Sequence, residues 1–503
     1  MQRLSALDNS FLEIETDSIQ SNIGGVSVFE GPAPSQAALL RLVESKLDRV
    51  PRYRKRVRRL PFGVGMPIWV DDLHFNLAYH LRRTALPAPG GGTQLDALVG
   101  RVMSQHLDRS KPLWETWVVE GIERGRWGLL WKVHHSMVDG VSANDLMSEV
   151  LDTTPALPPS RRQRRWRPQP VTPADMVAES VRGALVPLEQ AERAWQRLRG
   201  APVDLALRGV ATARAVLPIA PSLAQQRLHT SLNGAIGPHR VWTRASITLA
   251  DVRRVRSALG GSVNDVVLAV MTRGLRDLLG ARGEERDDRT VRTMVPVSVR
   301  SEAERGTLAN RVSTVFAELP VGLSGARERY ADIRAQMSNV KESHNAIAGD
   351  VLVRLAGFAP PMLLAAGSRL ALRTPQSFVN TVTTNVPGPQ HPLYCAGRRM
   401  LETWPYVMLG ARLRITTAIF SYDGTLYFGI TGDLDGAPDV GVIARGVEAG
   451  MRELLRAAGA RGERYMTRSS STTRTAASSA GSSSRGRSAY SRSASARGTS
   501  TSS

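Results

Sequence analysis

The sequence predicts a two-lobed protein in which α-helices and β-strands are layered together. Three observations support this fold class: a length of 503 residues, local patterns typical of both helices and strands, and a proline- and arginine-rich stretch between two globular regions. The chain is too long for one small domain, so it fits two domains or one large two-lobed body. Its apolar fraction of 42% and charged fraction of 22% are ordinary for a folded protein.

Several short apolar runs predict buried strands. Residues 127–133 and 291–299 are such runs, and their length suits strands. A β-hairpin is predicted further along, where an Asp423-Gly424 pair separates residues 413–421 from residues 426–431. These segments supply the β layers of both lobes.

Helical spacing occurs in both halves of the chain. Ser35 is a candidate N-cap, and the apolar residues that follow it share one helical face: Leu39, Leu40, Val43 and Leu47. Further helices are predicted over residues 251–259, 262–279 and 440–457. Together with the strands, they indicate α/β or α+β layers in each lobe.

Composition divides the chain into four parts. Residues 155–170 are rich in Pro and Arg, as linkers often are, and residues 174–228 have the apolar spacing of an amphipathic helical connector. The end of the chain is mostly Ser, Thr, Ala, Gly and Arg, which cannot bury apolar surface. The predicted parts are a first lobe (1–154), a linker and helical connector (155–235), a second lobe (236–465) and a disordered Ser/Arg-rich tail (466–503).

The net charge is strongly positive. Lys and Arg number 66 against 45 Asp and Glu, which gives +21. This excess is compatible with a solvated Arg-rich surface, with attraction to anionic lipid headgroups, or with nucleic-acid binding. The basic segments lack interleaved aromatic residues, and the sequence has no zinc-finger, helix-turn-helix or RNA-binding signature. Specific nucleic-acid binding is therefore the weakest of the three readings.

The sequence also argues against several locations and site types. A single cysteine excludes an internal disulfide framework and a cysteine-rich metal site. No uninterrupted apolar run approaches the ~20 residues of a membrane span. The N-terminal stretch has early acidic residues and no apolar h-region, so it does not resemble a signal peptide. We therefore expect a cytoplasmic protein that is soluble or bound to a membrane surface.

Two adjacent histidines are the main candidate for chemistry. The strand predicted over residues 127–133 runs directly into the heptapeptide HHSMVDG, which begins at His134 and His135 and ends at Asp139 and Gly140. Neighbouring side chains of an extended segment point to opposite faces, so one histidine can face a cleft while the other supports it. Asp139 could brace the loop or pair with an arginine, and Gly140 permits a tight reversal. A neutral imidazole is suited to accept a proton near neutral pH.

Other interpretations of this region remain open or are weaker. Two histidines can simply end a core strand. Sequence motifs of serine hydrolases, zinc proteases, P-loop proteins and dinucleotide-binding proteins are absent from the sequence. Cys395 lies in a Pro/Gly-rich stretch and is expected to be a bystander thiol. The histidine pair has no obvious third ligand nearby, so no metal site is predicted.

The heptapeptide matches the HHxxxDG motif of the CoA-dependent acyltransferase superfamily, which condensation domains share. Further segments resemble the bacterial wax ester synthase/diacylglycerol acyltransferase family: LSALDNSFLEIET (4–16), IGGVSVFE (23–30), PLW (112–114), NDVVLA (264–269), VPVSVR (295–300), NRVS (310–313) and NVPGP (385–389). The resemblance covers about residues 1–460. The Arg/Ser-rich tail and the basic stretch 161–167 depart from the family pattern.

This resemblance implies two lobes, each similar to chloramphenicol acetyltransferase, with the active-site channel between them. It implies transfer of a fatty acyl group from the co-substrate acyl-CoA, without a further cofactor, to diacylglycerol or a long-chain alcohol. It also implies work at the cytoplasmic membrane face or on lipid inclusions. By the same resemblance His135 is the base, and His134 and Asp139 shape its loop. The candidate substrate-binding residues are Gly140, Asn264, Asp265, Thr384 and Asn385.

Several alternatives stay open at this point. The acceptor could be a long-chain alcohol, which makes the protein a wax ester synthase, or a polyketide- or peptide-derived alcohol, as in condensation-type relatives. A non-catalytic protein that binds lipid surfaces could keep the same fold. Asn264 could instead be a helix-capping or turn residue. Thr384 and Asn385 could be the polar end of a strand before Pro387.

Overall fold

The computed structural model describes residues 2–61, 65–138, 150–156, 166–183, 230–284, 287–298, 312–342 and 379–459. Its strands are β1 Gln2–Arg3, β2 Asn22–Phe29, β3 Lys55–Arg58, β4 Ile68–Asp71, β5 Leu81–Ala85, β6 Trp114–Ile122, β7 Arg126–His134, β8 Arg240–Thr248, β9 Val291–Ser298, β10 Val312–Leu319, β11 Thr381–Val386, β12 Tyr394–Cys395, β13 Arg398–Tyr406, β14 Ile415–Tyr422 and β15 Thr425–Asp433.

The helices are α1 Ala6–Glu13, α2 Gln36–Lys46, α3 Leu77–His80, α4 Gly92–Met103, α5 Leu249–Leu259, α6 Val263–Ala281, α7 Ala326–Glu342 and α8 Gly441–Ala457. The described residues also include two 3₁₀ helices, Pro51–Arg54 and His135–Met137, and a helix over residues 173–183. The predicted tail, most of the predicted connector, Asp139 and Gly140 lie outside the described residues.

The first lobe is built on a six-stranded sheet in the order β12-β13-β2-β7-β6-β5. Only the pair β5–β6 is parallel. The strand predicted over residues 127–133 is confirmed as part of β7, which pairs with β2 up to the match of His134 with Asn22. Because the histidine pair lies at the end of β7, it lies at one end of this sheet, next to the central strands.

The second lobe contains a six-stranded sheet in the order β10-β9-β11-β14-β15-β8. Strand β11 is parallel to β9 and β14, and the remaining pairs are antiparallel. The predicted hairpin is confirmed: β14 and β15 are joined by Asp423 and Gly424, whose φ angles of 42° and 81° are both positive, as tight hairpin turns require. Helices α5, α6, α7 and α8 pack on this sheet and bury its apolar residues.

The helices predicted from local patterns are also confirmed. Ser35 caps α2, since its Oγ accepts a hydrogen bond from the backbone N–H of Ala38 at 3.3 Å. The three predicted helices of the second half correspond to α5, α6 and α8. Layered helices and sheets thus occur in both lobes, which confirms the α/β fold class. Across the described part of the chain, no helix has the length and apolar character needed to cross a membrane.

Two strands from the second half of the chain, β12 and β13, belong to the first sheet. Strand β13 pairs antiparallel with β2, and the Oγ atoms of Ser27 and Thr403 lie 3.0 Å apart across this pair. Strand β12 continues the sheet beyond β13. The first sheet therefore contains four strands from the range predicted for the first lobe and two from the range predicted for the second.

Helix α4 and strand β8 form a close contact between the lobes. A Cβ atom at Gly100 of α4 would lie 2.7 Å from the carbonyl oxygen of Arg240, so this approach requires glycine. The Arg240 backbone N–H donates to Ser104 Oγ at 2.9 Å. Arg244 Nε pairs with Asp96 Oδ1 at 2.6 Å. These contacts fix the two sheets relative to each other.

Candidate active site

The histidine pair lies where β7 ends and the short 3₁₀ helix begins. The backbone N–H of His134 donates to the carbonyl of Leu113 at 3.0 Å, as in a regular strand. The N–H of His135 instead donates to the carbonyl of Ser21 at 2.8 Å. The backbone therefore leaves the sheet between the two residues, and their side chains have different surroundings.

The side chain of His134 is buried and held by Ser136. It is only 1% exposed, and its Nδ1 accepts the backbone N–H of Ser136 at 3.1 Å, with Ser136 Oγ 2.7 Å away. Because that N–H can only donate, Nδ1 carries no proton and the ring proton lies on Nε2. Nε2 faces Glu15 Oε1 at 3.6 Å, beyond hydrogen-bond distance. This ring has no free lone pair directed at a substrate.

Glu15 is the centre of a buried charge network behind His134. Its side chain is 4% exposed. Arg109 Nη2 lies 2.6 Å from Oε2, while His106 Nδ1 lies 3.4 Å from Oε1. The backbone N–H of Ser21 also donates to Oε1, at 3.1 Å. Burial raises the pKa of Glu15, but His134 and Arg109 outweigh that effect and the pKa falls to about 2. Glu15 is therefore a carboxylate at neutral pH.

His135 has a different environment. Its side chain is half-buried, and its ring stacks on Phe11, with ring centroids 3.8 Å apart and an angle of 17° between the planes. Burial, with a smaller contribution from His134, lowers the pKa of His135 to about 4. The ring is therefore neutral at physiological pH and keeps an unprotonated nitrogen that can accept a proton.

Residues 11–21 of the N-terminal segment contact the surroundings of both histidines. Ser21 links them, since its N–H donates to Glu15 while its carbonyl accepts from His135. Its Oγ donates to the carbonyl of Phe11 at 2.7 Å. Residues 11–21 thus connect the stacked ring, the carboxylate and the backbone of His135. This arrangement can present the neutral imidazole of His135 to a substrate while the ring of His134 is held in place.

The candidate residues from the second lobe lie on two elements. Asn264 is in the first turn of α6, and Asp265 forms a capping box with Ser262: the Ser262 N–H donates to Asp265 Oδ2 at 2.7 Å. Thr384 and Asn385 are in the last three residues of β11, which are half-buried, unlike the buried residues that begin the strand. None of the described contacts of these four residues reaches the histidine pair. Asp139 and Gly140, as stated above, lie outside the described residues.

Three site residues were not identified from the sequence: Phe11, Glu15 and Arg109. Phe11 and Glu15 belong to the segment LSALDNSFLEIET, which carried part of the family resemblance. That segment was the available signal, although it did not indicate contact with the histidines. Arg109 had no comparable signal among so many arginines.

Other candidate groups are less suited to chemistry. Cys395 is buried, and burial raises the pKa of its thiol to about 12, so the thiol stays protonated at neutral pH. In the described ranges, no group of three His, Cys, Asp or Glu side chains could hold a metal ion. Of the two histidines of the motif, His135 has the surroundings that suit a general base.

Comparison with known proteins gives a consistent result. The family model "wax ester synthase/diacylglycerol acyltransferase catalytic domain" matches residues 4–267, and the C-terminal domain model of the same family matches residues 308–455. A relative in Mycobacterium tuberculosis, described as the probable diacylglycerol O-acyltransferase tgs1, is 36% identical over 459 residues, covering 90% of this chain and 96% of the relative.

Solved structures of other acyltransferases share the fold. The wax ester synthase/diacylglycerol acyltransferase from Marinobacter aquaeolei VT8 has a TM-score of 0.64 and 24% identity, covering 91% of this chain and all of that one. The trichothecene 15-O-acetyltransferase TRI3 from Fusarium sporotrichioides has a TM-score of 0.58 and 10% identity, covering 90% and 94% of the two chains. With both family models and the mycobacterial relative in agreement, this chain belongs to the wax ester synthase/diacylglycerol acyltransferase family.

Proposed function

We propose that this protein transfers a fatty acyl group from acyl-CoA to diacylglycerol and forms triacylglycerol, with His135 as the general base. The observation that carries this proposal is the contrast between the two histidines. His134 is enclosed by Ser136 and Glu15, whereas His135 is neutral, half-buried and stacked on Phe11. The family membership and the name of the mycobacterial relative support the choice of reaction and acceptor.

In the proposed reaction, His135 takes the proton of the acceptor hydroxyl while the hydroxyl oxygen attacks the thioester carbonyl carbon. A tetrahedral oxyanion forms, then the carbon–sulfur bond breaks. The imidazolium returns its proton to the departing CoA sulfur, which leaves as the thiol. Atoms and charge balance over these steps, and no acyl-enzyme is needed.

The low pKa of His135 fits this role. In the free protein, burial disfavours the imidazolium, so the ring is available as a base. During the reaction the imidazolium forms beside an oxyanion, and opposite charges attract more strongly in a buried site than in water. The same burial that keeps the base unprotonated therefore favours the ion pair of the transition state.

The remaining candidate residues have supporting roles in this proposal. His134, which faces Glu15, and Asp139 support the base, and Gly140 belongs to the substrate-binding residues. Asn264, Asp265, Thr384 and Asn385 contact the substrates from the second lobe. The half-buried end of β11 supports this assignment for Thr384 and Asn385, while the capping box gives Asp265 a structural task as well.

We also propose that the protein docks peripherally on anionic lipid surfaces, since diacylglycerol resides in bilayers. Val177 and Val181 are 48% and 55% exposed and lie one helical turn apart. Arg182 is next to Val181 on the same helix and pairs with Glu179, which Arg3 of β1 also contacts. Sedimentation with anionic vesicles should weaken in high salt and on replacing both valines with Glu. Binding unaffected by either change would refute this docking surface.

Product analysis tests the proposed function. Purified protein is incubated with palmitoyl-CoA while diacylglycerol and hexadecanol compete as acceptors. We expect triacylglycerol as the main product, with free CoA released in equal amount. Hexadecyl palmitate as the main product would make the protein a wax ester synthase instead. Absence of both esters, with substrates intact and protein folded, would favour a non-catalytic lipid-binding role and refute the proposal.

A further inference from the structure

Arg240, at the start of β8, carries a buried guanidinium group that lies between the two lobes. Its side chain is 1% exposed. On one side, Nη1 donates to the carbonyl oxygens of Gly237 at 2.6 Å and His239 at 3.0 Å. Nη1 also lies 3.7 Å from Oδ1 of Asp433, whose side chain is equally buried. A buried charge needs such a partner, and this half of the guanidinium is therefore fixed within the second lobe.

The other terminal nitrogen of the same group faces the N-terminal segment. Nη2 donates to the carbonyl oxygen of Ser18 and to Gln20 Oε1, the latter at 2.7 Å. Gln20 is 3% exposed, and its Nε2 donates to the carbonyl oxygens of Asp17 and Pro238, both at 3.2 Å. One planar group therefore joins the two lobes through separate nitrogens, which a lysine could not do.

The contacts of Nη2 lie in the middle of a loop whose two ends support the histidine pair. The loop is formed by residues 15–21. At one end, Glu15 faces His134 Nε2 at 3.6 Å, and at the other end the carbonyl of Ser21 accepts the backbone N–H of His135 at 2.8 Å. A displacement of the loop would therefore move both supports of the pair.

Hydrogen bonds across the loop make it a compact unit. The backbone N–H of Thr16 donates to the carbonyl of Ile19 at 3.1 Å, and the N–H of Ile19 donates to the carbonyl of Thr16 at 3.0 Å. The N–H of Ser21 donates to Glu15 Oε1 at 3.1 Å. These bonds tie one side of the loop to the other, so a movement at its middle reaches both ends.

We propose that Arg240 is a positioning residue for the reaction: it holds residues 15–21 against the second lobe and thereby fixes the orientation of His135. None of the described contacts of Arg240 reaches either histidine, so it acts through the loop. This inference rests on the proposed function, which makes His135 the base. The base of the first lobe thus depends on a residue of the second.

Two substitutions test this contact from its two sides. Arg240→Lys keeps the positive charge beside Asp433, but its single nitrogen cannot serve both lobes as the guanidinium does. Gln20→Leu removes the side-chain acceptor of Nη2 and leaves the arginine in place. The second variant keeps the test decisive if the first one fails to fold.

Each substitution has a matched control elsewhere in the protein. Arg244→Lys alters a second arginine of β8 that contacts the first lobe, where its Nε pairs with Asp96 at 2.6 Å. Gln36→Leu removes a glutamine that donates to the carbonyl of Leu81 at 2.8 Å. None of the described hydrogen bonds of these two residues reaches residues 15–21.

Kinetics with palmitoyl-CoA and diacylglycerol provide the first measurement. We expect kcat to fall at least about tenfold in Arg240→Lys and about threefold in Gln20→Leu, with KM for both substrates within about twofold of the wild type. The controls should keep at least about half of the wild-type kcat. In a His135→Ala background, Arg240→Lys should cause no further loss, because a residue that acts through the base has no effect once the base is gone. An equal loss in both backgrounds would overturn the proposal.

Amide hydrogen exchange measures the positioning without turnover, so it separates failure of this inference from failure of the proposed function. Exchange of the His135 N–H should be at least about tenfold faster in Arg240→Lys than in Arg244→Lys, while the amides of the buried strand β14 exchange at the wild-type rate.

If the wild type transfers no acyl group but the His135 amide exchanges faster in Arg240→Lys, the loop contact stands and the proposed function fails. If the wild type is active and Arg240→Lys matches Arg244→Lys in both exchange and kcat, the proposed function stands and this inference fails. Faster exchange with an unchanged kcat would also overturn the positioning role.

Discussion

The imidazole of His135 lies flat against the phenyl ring of Phe11, with their centroids 3.8 Å apart. Phe11 also accepts a hydrogen bond from Ser21 through its carbonyl, and the carbonyl of Ser21 accepts the N–H of His135. Phe11 therefore supports the ring of the proposed base directly and its backbone through Ser21. Its apolar ring also adds to the burial that keeps the imidazole unprotonated.

The pH dependence of activity should reflect the lowered pKa of His135. The base must be unprotonated to act, and a folded-state pKa of about 4 keeps it so well below its ordinary value. We expect kcat/KM to stay level from pH 8 to about 5 and to fall only as the pH approaches 4. Initial rates measured across this range, at constant ionic strength, provide the check. An acidic midpoint near 6.5 would contradict a buried base.

Replacing Phe11 should shift that profile. Phe11→Ala uncovers the imidazole, so water can stabilise its protonated form and the acidic midpoint should rise by about one pH unit. The kcat at pH 8 should fall about tenfold because the ring is less well oriented. Phe11→Leu keeps an apolar cover and is the matched control, with a smaller shift. Identical profiles for wild type and Phe11→Ala would show that the stacking contact has no influence on the base.

Glu15→Gln should reduce both activity and stability. The amide keeps the shape of the side chain but removes the charge that faces His134 and Arg109, which should cost about 2 kcal/mol of unfolding free energy at pH 7 and about tenfold in kcat. The folded-state pKa of about 2 lies below the ordinary glutamate value of 4.5. This contribution is therefore complete above about pH 4.5 and is lost as the pH falls toward 2.

Denaturant unfolding at pH 7 and pH 4 measures the effect of Glu15→Gln, and the difference from wild type should narrow at the lower pH. Glu120→Gln is the control, since Glu120 forms an exposed ion pair with Arg83 and should lose less than about 1 kcal/mol. Equal losses of unfolding free energy for the two variants would mean that the Glu15 network stabilises the protein no more than an exposed ion pair does.

Gly100→Ala should destabilise the contact between the lobes. Alanine favours a helix more than glycine does, by roughly 1 kcal/mol. At this position, however, its Cβ would lie 2.7 Å from the carbonyl oxygen of Arg240. We therefore expect a net loss of about 1–3 kcal/mol. Gly441→Ala at the start of α8, where the nearest group is the end of a flexible arginine, is the control. A raised melting temperature for Gly100→Ala would contradict this close contact.

Local features of the fold were predictable because neighbouring residues determine them. Asp423 and Gly424 readily adopt the positive φ angles of a tight hairpin turn. Ser35 caps the helix that follows it. The partner of β13 was not predictable, because the alternation within a strand gives its faces but not its neighbour. Its pairing with β2 joins residues more than 370 positions apart in sequence.

The same distinction applies to the candidate site. His134 and His135 have different surroundings because β7 ends at His134 and a 3₁₀ helix begins at His135. Their dependence on Phe11 and Glu15 could not be read from spacing, because more than 100 residues separate these partners from the histidines. The capping role of Asp265 was available in the sequence, since Ser262 stands three residues before it.

The central claim is that His135 accepts the hydroxyl proton, and the kcat of His135→Ala with palmitoyl-CoA and diacylglycerol tests it most directly. Melting temperature and circular dichroism would first establish that the variant is folded. The account predicts a kcat at least about a hundredfold below that of the wild type. A folded variant that retains more than a tenth of the wild-type kcat would contradict it.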